Sequence, residues 1–468
     1  MKPKLNSRGA ALEFGPIPVA SNGFVRSTAP GEEMYRWASD LFPIHRSLMG
    51  EGNRTTLRYL KGLLPDLELF EVSSGTKVFD WRIPDEWTIR DAYVCQEGKT
   101  RRLIDLRKSN LHVVGYSTPV DAVMSLEELQ PHLYSLPEMP DAIPYVTSYY
   151  QPQWGFCLTH AERAQLTPGN YRVVIDSSLA PGSLSYAELI LPGQEDNEVL
   201  LSTYVCHPSM ANNELSGPVV TTALARWLAT IKNRRFTYRI VFAPETLGAI
   251  TYLHRNLSQM KAKTVAGFVV TCVGDDRAYS VVHSRMGDTL ADRVATHVMK
   301  RHAPDYQDYS YLHRGSDERQ YCSPGVDLPV VSILRSLYGS YPEYHTSKDN
   351  LDLISPRGLH GAFEALRKCI VGIEGNYRYQ VNHTCEPQLG RRGFYPTTHT
   401  PQTQAAVQDM MNVLAYADGE HDVFQIADRI GIGFEECLTI LDKLYDAQVI
   451  TRSAAGQVGA AARHSKGA

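Results

Sequence analysis

Between Gly193 and Glu374 the chain repeats one pattern that leaves few folds open. "EVLLSTYVCH", "YRIVFAPE", "VAGFVVTC" and "LPVVSIL" are unbroken apolar runs of strand length, bounded by polar or turn residues. Strands that never alternate with polar residues have no face for water, so they belong in a sheet covered on both sides. The segments between them supply the cover. "GPVVTTALARWLATIK" places Val220, Leu224, Trp227 and Ile231 on one helical face, and "SPRGLHGAFEALRKCIVGIEG" opens with Ser355 as N-cap and Pro356 at the first helical position. The pattern predicts an α/β domain whose sheet is sandwiched by helices.

The rest of the chain reads differently. Met34, Trp37, Ala38 and Leu41 fall at helical spacing, and "GNRTTLRYLKGLL" starts a second helix with Thr55 or Thr56 near its cap. From Phe79 to about Pro192 short β-rich runs alternate with turn residues, and no long helical period appears. This predicts a discontinuous α/β domain over 30–78 and 193–384, interrupted by a β-rich inserted domain over 79–192. The stretch from Cys385 to Thr400 reads as a linker, and 403–455 has the outline of a winged helix. The first 23 residues read as a flexible lead-in and the last fifteen as a disordered tail. A length of 468 residues fits two or three domains.

Composition excludes several partners. The formal net charge of −4 gives no pull toward polyanions, and no window holds the apolar run of a membrane helix. Eight cysteines are scattered without a CxxC pair, which predicts reduced thiols in a cytoplasm and no cysteine zinc cluster. The recognition helix assigned within the winged helix, "GFEECLTILDKLYDA", sets Glu435, Glu436, Asp442 and Asp446 against a single Lys443. Such a face repels phosphate. Dimerisation or domain packing is therefore the expected role, with a homo-oligomer and no nucleic-acid or membrane partner.

In open α/β sheets ligands gather outside the carboxyl ends of the strands. His207 ends the first strand, with Asn213 and Glu214 behind it. Glu245 ends the second, and Thr271, Asp275 and Asp276 follow the third. His345 lies in "YPEYHTSKDN" after the last. Two imidazoles with a carboxylate suit zinc, and a free glutamate beside it suits removal of a proton from water. Asp317 and Arg319 in "RGSDERQYCSPG" suit the charged end of a substrate, although an ion pair ordering their own loop explains them equally well. Asn213 reads as a helix cap, Asp275 and Asp276 as a solvated turn, and Glu245 also as a carboxylate at a helix start.

The order "NELSG", "ETLG", "TCVG", "YHTSKD" resembles that of the co-catalytic zinc aminopeptidases, the clan that includes the glutaminyl cyclases. More closely, the chain resembles a bacterial aminopeptidase-like family with a β-rich insertion and a C-terminal winged helix, often labelled polysaccharide-biosynthesis proteins. The resemblance spans roughly Glu33 to Thr451 and implies a mixed sheet covered by helices. It also implies a zinc hydrolase acting on a small peptide or amide, with His207 and His345 as outer metal ligands and Glu245 as general base. The chain departs from the pattern where Asn213, Thr246 and Thr271 stand at acidic ligand positions and Ser209 replaces the Asp that steadies the first His. Too few anionic ligands remain for two zinc ions, so one ion is expected, held by His207, His345 and Glu214, with Asp275 or Asp276 as the alternative carboxylate. Asp317, Arg319 and Tyr344 would line the substrate pocket. The competing expectation is a scaffold that has lost its metal and serves binding or assembly.

Overall fold

The computed structural model describes residues 30–149, 151–394 and 401–454. The lead-in, the last fourteen residues and the end of the linker lie outside the described residues.

An eight-stranded mixed sheet forms the centre. Its order is Glu68–Ser73, Ser183–Leu191, Thr237–Ala243, Glu198–Tyr204, Thr264–Val269, Val330–Leu334, Ser280–Val282 and Gln307–Tyr309. The four middle strands, Thr237–Ala243 to Val330–Leu334, run parallel, as their apolar sequences require. Every residue of Glu198–Tyr204 is buried. Register places Ser202 opposite both Val241 and Val269, so the carboxyl ends of these strands share one rim. Helices Pro30–Leu41, Ser216–Thr230, Leu290–His302 and Pro356–Glu374 cover one face in a single apolar core that includes Trp37, Leu224, Phe268 and Leu366. Helix Leu247–Lys263 packs in a second core with the inserted unit.

The insertion hangs from an antiparallel pair. The chain leaves the sheet after Ser73 and returns at Ser183, the two residues facing each other in register. Between them lies a four-stranded sheet ordered Arg102–Asp105, Glu86–Gln96, Asn170–Ala180 and Val120–Ser125. The expected boundary at 192 is therefore about ten residues too late. Ser183–Leu191 belongs to the main sheet because Ala187, Leu189 and Leu191 point into its core.

The winged helix begins earlier than 403. Tyr377–Val381 pairs with both Asp418–Asp422 and Ile450–Ala454, so the first strand of that unit follows directly on helix Pro356–Glu374. The unit is seated on the α/β core. The Phe434 amide donates to buried His297 Nε2 at 3.0 Å, and Arg293 pairs with Asp422 at 2.9 Å. No helix among the described residues is long and apolar enough to cross a membrane.

Candidate active site

The loops leaving the parallel strands meet the inserted unit around a cavity of about 640 Å³. Cys206, His207, Glu245, Thr246, Leu247 and His345 line it from the sheet side. The facing wall comes from the insertion: Asp80, Trp81, Arg82 and Pro84 from a hairpin, and Tyr145, Thr147 and Tyr149 from a later segment. Four non-glycine residues with left-handed backbone lie in these strand-end loops: Ser209 (φ 47°), Thr246 (61°), Cys272 (50°) and His345 (55°). Such clustering is what functional sites show, where the surroundings enforce costly conformations.

His207 is oriented from behind. Its Nδ1 lies 2.9 Å from Glu214 Oε2, which leaves Nε2 toward the cavity, 3.8 Å from Glu245 Oε2. Glu214 is in turn fixed by Arg46, whose Nε donates to Oε1 at 2.7 Å and to the His207 carbonyl at 3.0 Å. Arg46 is 0% and Glu214 1% exposed. The Cys206 and His207 amides also donate to Glu214 Oε2. The structure thus uses Glu214 otherwise than the expected metal ligand. Cys206 Sγ, His207 Nδ1 and Glu214 converge closely enough to hold an ion. However, a buried guanidinium and two backbone N–H groups already occupy the carboxylate. It steadies the ring of His207, the task that Ser209 cannot perform. Burial opposes charge on His207, but the Cys206 thiol and the Glu214 carboxylate outweigh it and hold the ring well above its ordinary range.

His345 stands across the cavity, its ring centroid 5.3 Å from that of His207. Tyr344 stacks on it at 3.9 Å, and Tyr145 meets both imidazoles edge-on or tilted at 5.2 Å. Burial and the neighbouring His207 push His345 down to about 3, so its ring is neutral. Its Nε2 is buried without a hydrogen-bond partner. Burial raises Glu245 above the usual carboxylate range, while His207 and Arg319 pull it back.

The remaining expected residues serve the site from outside the cavity wall. Asp317, 1% exposed, accepts the Thr246 amide at 2.7 Å, and Arg319 Nη2 donates to Thr246 Oγ1 at 2.8 Å. Tyr344 acts on His345 by stacking. None of these three is among the residues lining the cavity: Asp317 is buried, and the half-buried Arg319 and Tyr344 engage Thr246 and His345. Asp275 is bound by Asn212 and Ser336, and Asp276 by Ser355 and Arg357, which removes both as alternative ligands.

The neutral residues at the acidic positions are tied into the protein. Asn213 Nδ2 donates to Tyr204 OH at 2.9 Å, and Thr271 Oγ1 donates to that phenol and to the Asn213 carbonyl. Asp349 stabilises the turn beneath by accepting the amides of Ala211, Asn212 and Asn213. Among the described residues a second cation finds no carboxylate here but that of Asp349, whose two oxygens already accept these amides and the Tyr341 hydroxyl. A single cation fits better, because His207 Nε2, once its proton leaves, and the unpartnered His345 Nε2 are donors of the right chemistry on one cavity, with Glu245 beside them.

Residues 35–376 match the family described as Domain of unknown function (DUF4910), and residues 377–452 match the winged helix-turn-helix family. The chain belongs to the DUF4910 family. It is 42% identical over 429 residues, 91% of this chain and 97% of the other, to a Clostridium acetobutylicum protein provisionally named a polysaccharide biosynthesis protein with aminopeptidase-like domain. A crystal structure of a provisionally named peptidase from that organism superposes with a TM-score of 0.85 at 41% identity, over 90% of this chain and 96% of the other. The zinc aminopeptidase BSAP of Bacillus subtilis shares the fold at a TM-score of 0.51 and 12% identity, over 73% and 94% of the two chains. The expected aminopeptidase-like fold with a C-terminal winged helix is present. Sequence reasoning missed Arg46 and Tyr145. "YVTSYYQPQW", with three tyrosines and a tryptophan in ten residues, was the one available signal for the latter.

Proposed function

We propose that the chain is a metal-dependent hydrolase of the aminopeptidase type that cleaves a peptide or amide bond in a small substrate. The observation that carries this reading is His207 Nε2 held 3.8 Å from Glu245 beside the unpartnered Nε2 of His345, on one cavity. His207 and His345 would hold one zinc ion, with Glu245 the carboxylate beside them. When bound, the ion supplies a Lewis acid and lowers the pKa of water toward neutrality. The protein's own residues do the rest. Glu214 and Arg46 fix the His207 ring, and Glu245, with its raised affinity for protons, takes one from the attacking water and passes it to the leaving amine. The hairpin carrying Trp81 and the tyrosine segment close the cavity over the reacting bond, which restricts substrates to small molecules.

A second reading, a scaffold without metal, draws on the same residues. The alternation Arg46, Glu214, His207, Glu245 balances its charges without an ion, Thr246 and Thr271 are satisfied by protein partners, and Asn213 is held through its Nδ2 while its Oδ1 stays unpartnered. Metal content by inductively coupled plasma mass spectrometry separates the two. The hydrolase reading expects about one zinc per chain, lost from a His207→Ala, His345→Ala double variant, with turnover in an amide substrate screen. No metal after zinc is added back, and no turnover, would leave the scaffold reading.

A further inference from the structure

Glu245 is followed by a backbone turn that its sequence does not favour. Thr246 has φ 61° and ψ −77°, and the Leu247 amide donates to the Glu245 carbonyl at 2.7 Å. This is a γ-turn of the rare positive-φ kind. At its centre stands a β-branched residue, for which left-handed backbone is a genuine outlier. Helix Leu247–Lys263 starts at the next residue. A threonine there has a better alternative: extended backbone, with Oγ1 capping the first turn of the helix. The structure gives up that cap, since Thr246 makes no side-chain cap bond. In the capped alternative the peptide before Thr246 rotates, and the Glu245 carboxylate leaves its place beside His207.

Something outside the turn must therefore hold it. Asp317 Oδ1 accepts the Thr246 amide at 2.7 Å, and Arg319 Nη2 engages the Oγ1 that would otherwise cap the helix, at 2.8 Å. Arg319 is itself set by its Nε bond to the Ser316 carbonyl at 3.0 Å, and the Glu245 amide rests on Cys206 Sγ at 3.3 Å. The loop that carries both residues is anchored from below. Glu318, 0% exposed, accepts the amides of Gly315 and Ser316 and the hydroxyls of Tyr338 and Ser332.

We infer that Asp317 and Arg319 are positioning residues that clamp Thr246 in a strained γ-turn and so aim the Glu245 carboxylate at His207 Nε2. The inference deepens the hydrolase reading, because the aim matters for proton transfer only if Glu245 is the base. The placement itself is tested independently of any reaction.

The clamp needs an acceptor oxygen at 317, not a charge. Asp317→Asn keeps that oxygen and Asp317→Leu removes it; Arg319→Lys keeps a donor and Arg319→Met removes it. In histidine-selective ¹⁵N-labelled protein, the His207 ring resonance is identified by its loss in His207→Gln and reports the carboxylate beside it. The expected result is a wild-type His207 signal in Asp317→Asn and a displaced one in Asp317→Leu. Arg319→Met supplies a second displaced signal, restored toward wild type by Arg319→Lys, should the leucine variant not fold. An unmoved His207 signal in both Asp317→Leu and Arg319→Met would overturn the clamp. If wild type hydrolyses an amide, displaced variants should lose on the order of 100-fold in kcat with KM little changed, as misplacement of a reacting group does. If wild type hydrolyses none, the hydrolase reading fails, and the resonances still decide the clamp.

Discussion

Removing both members of the Arg46–Glu214 pair should cost the fold less than the two single removals added together. The two side chains are fully buried, with Nε and Oε1 2.7 Å apart. Arg46→Met leaves a carboxylate in the interior without its cation, and Glu214→Leu leaves a guanidinium without its anion. Breaking a buried pair from one side costs about 3–5 kcal/mol, because the surviving charge stays desolvated. Each variant also strands neutral partners. Without Arg46 the Leu41 and His207 carbonyls lose a donor. Without Glu214 the Cys206 and His207 amides and the His207 ring lose an acceptor. Those losses, at about 1–3 kcal/mol per buried group, persist in the double variant, whereas the stranded charge does not. The double-mutant cycle therefore isolates the charge contribution, and the double variant should be about 3 kcal/mol more stable than the sum of the singles implies.

Guanidinium unfolding at pH 7.5 is the assay, followed by tryptophan fluorescence and far-ultraviolet circular dichroism. Coincidence of the two probes checks that one transition is being read. Zinc affinity supplies a second reading on the same proteins. Loss of a group that orients a histidine ligand costs about 10- to 100-fold in metal affinity. Single costs that add to the double cost within about 0.5 kcal/mol would refute the reasoning, since independent sites add to that tolerance.

Burial and the adjacent Arg46 lower the pKa of His45 to about 4. The unfolded chain therefore takes up the proton first as pH falls, and stability present above pH 6.5 should decline between 6.5 and 4, by up to about 3 kcal/mol. His45→Gln should flatten that limb in thermal melts at pH 7.5 and pH 5. Phe434 stacks on Phe424 at 4.5 Å where the winged helix meets helix Pro356–Glu374, so Phe434→Ala should destabilise the whole protein by about 3 kcal/mol. A mobility-shift assay at low salt should show no binding of mixed genomic DNA, because the acidic helix repels phosphate; salt-sensitive retardation would contradict this. A Cβ at Gly217 would lie 2.3 Å from the Val270 carbonyl and 2.4 Å from Thr203 Oγ1. Gly217→Ala should therefore abolish soluble expression or lower the melting temperature steeply, and an unchanged melt would show that the strand can give way.

The difference between what could and could not be read from the chain lies in the range of the interactions. The parallel strands are legible because an unbroken run such as "EVLLSTY" states its own burial, and because His207 and Glu245 follow such runs directly, with His345 in the longer loop after the last. Ser183–Leu191 was misassigned since its sequence, "SLSYAELIL", is as compatible with the insertion as with the main sheet; only its antiparallel neighbours decide. Glu214 reads from the sequence as a metal ligand, while the structure ties its carboxylate to Arg46, two backbone amides and the His207 ring. What settles its task is Arg46, 168 positions earlier, and nothing near Glu214 announces a buried cation. Asp317 and Arg319 failed for a related reason. Their charges suggested a ligand, but their partner is a backbone turn whose strain no residue pattern encodes, since Thr246 would cap the following helix if left alone. The residues that do face the cavity from the insertion, Trp81 and Tyr145 among them, reach it only because an antiparallel pair returns the chain beside its point of exit. Sequence patterns report burial well, but the assignment of roles among buried polar groups waits for the partners that the fold brings to them.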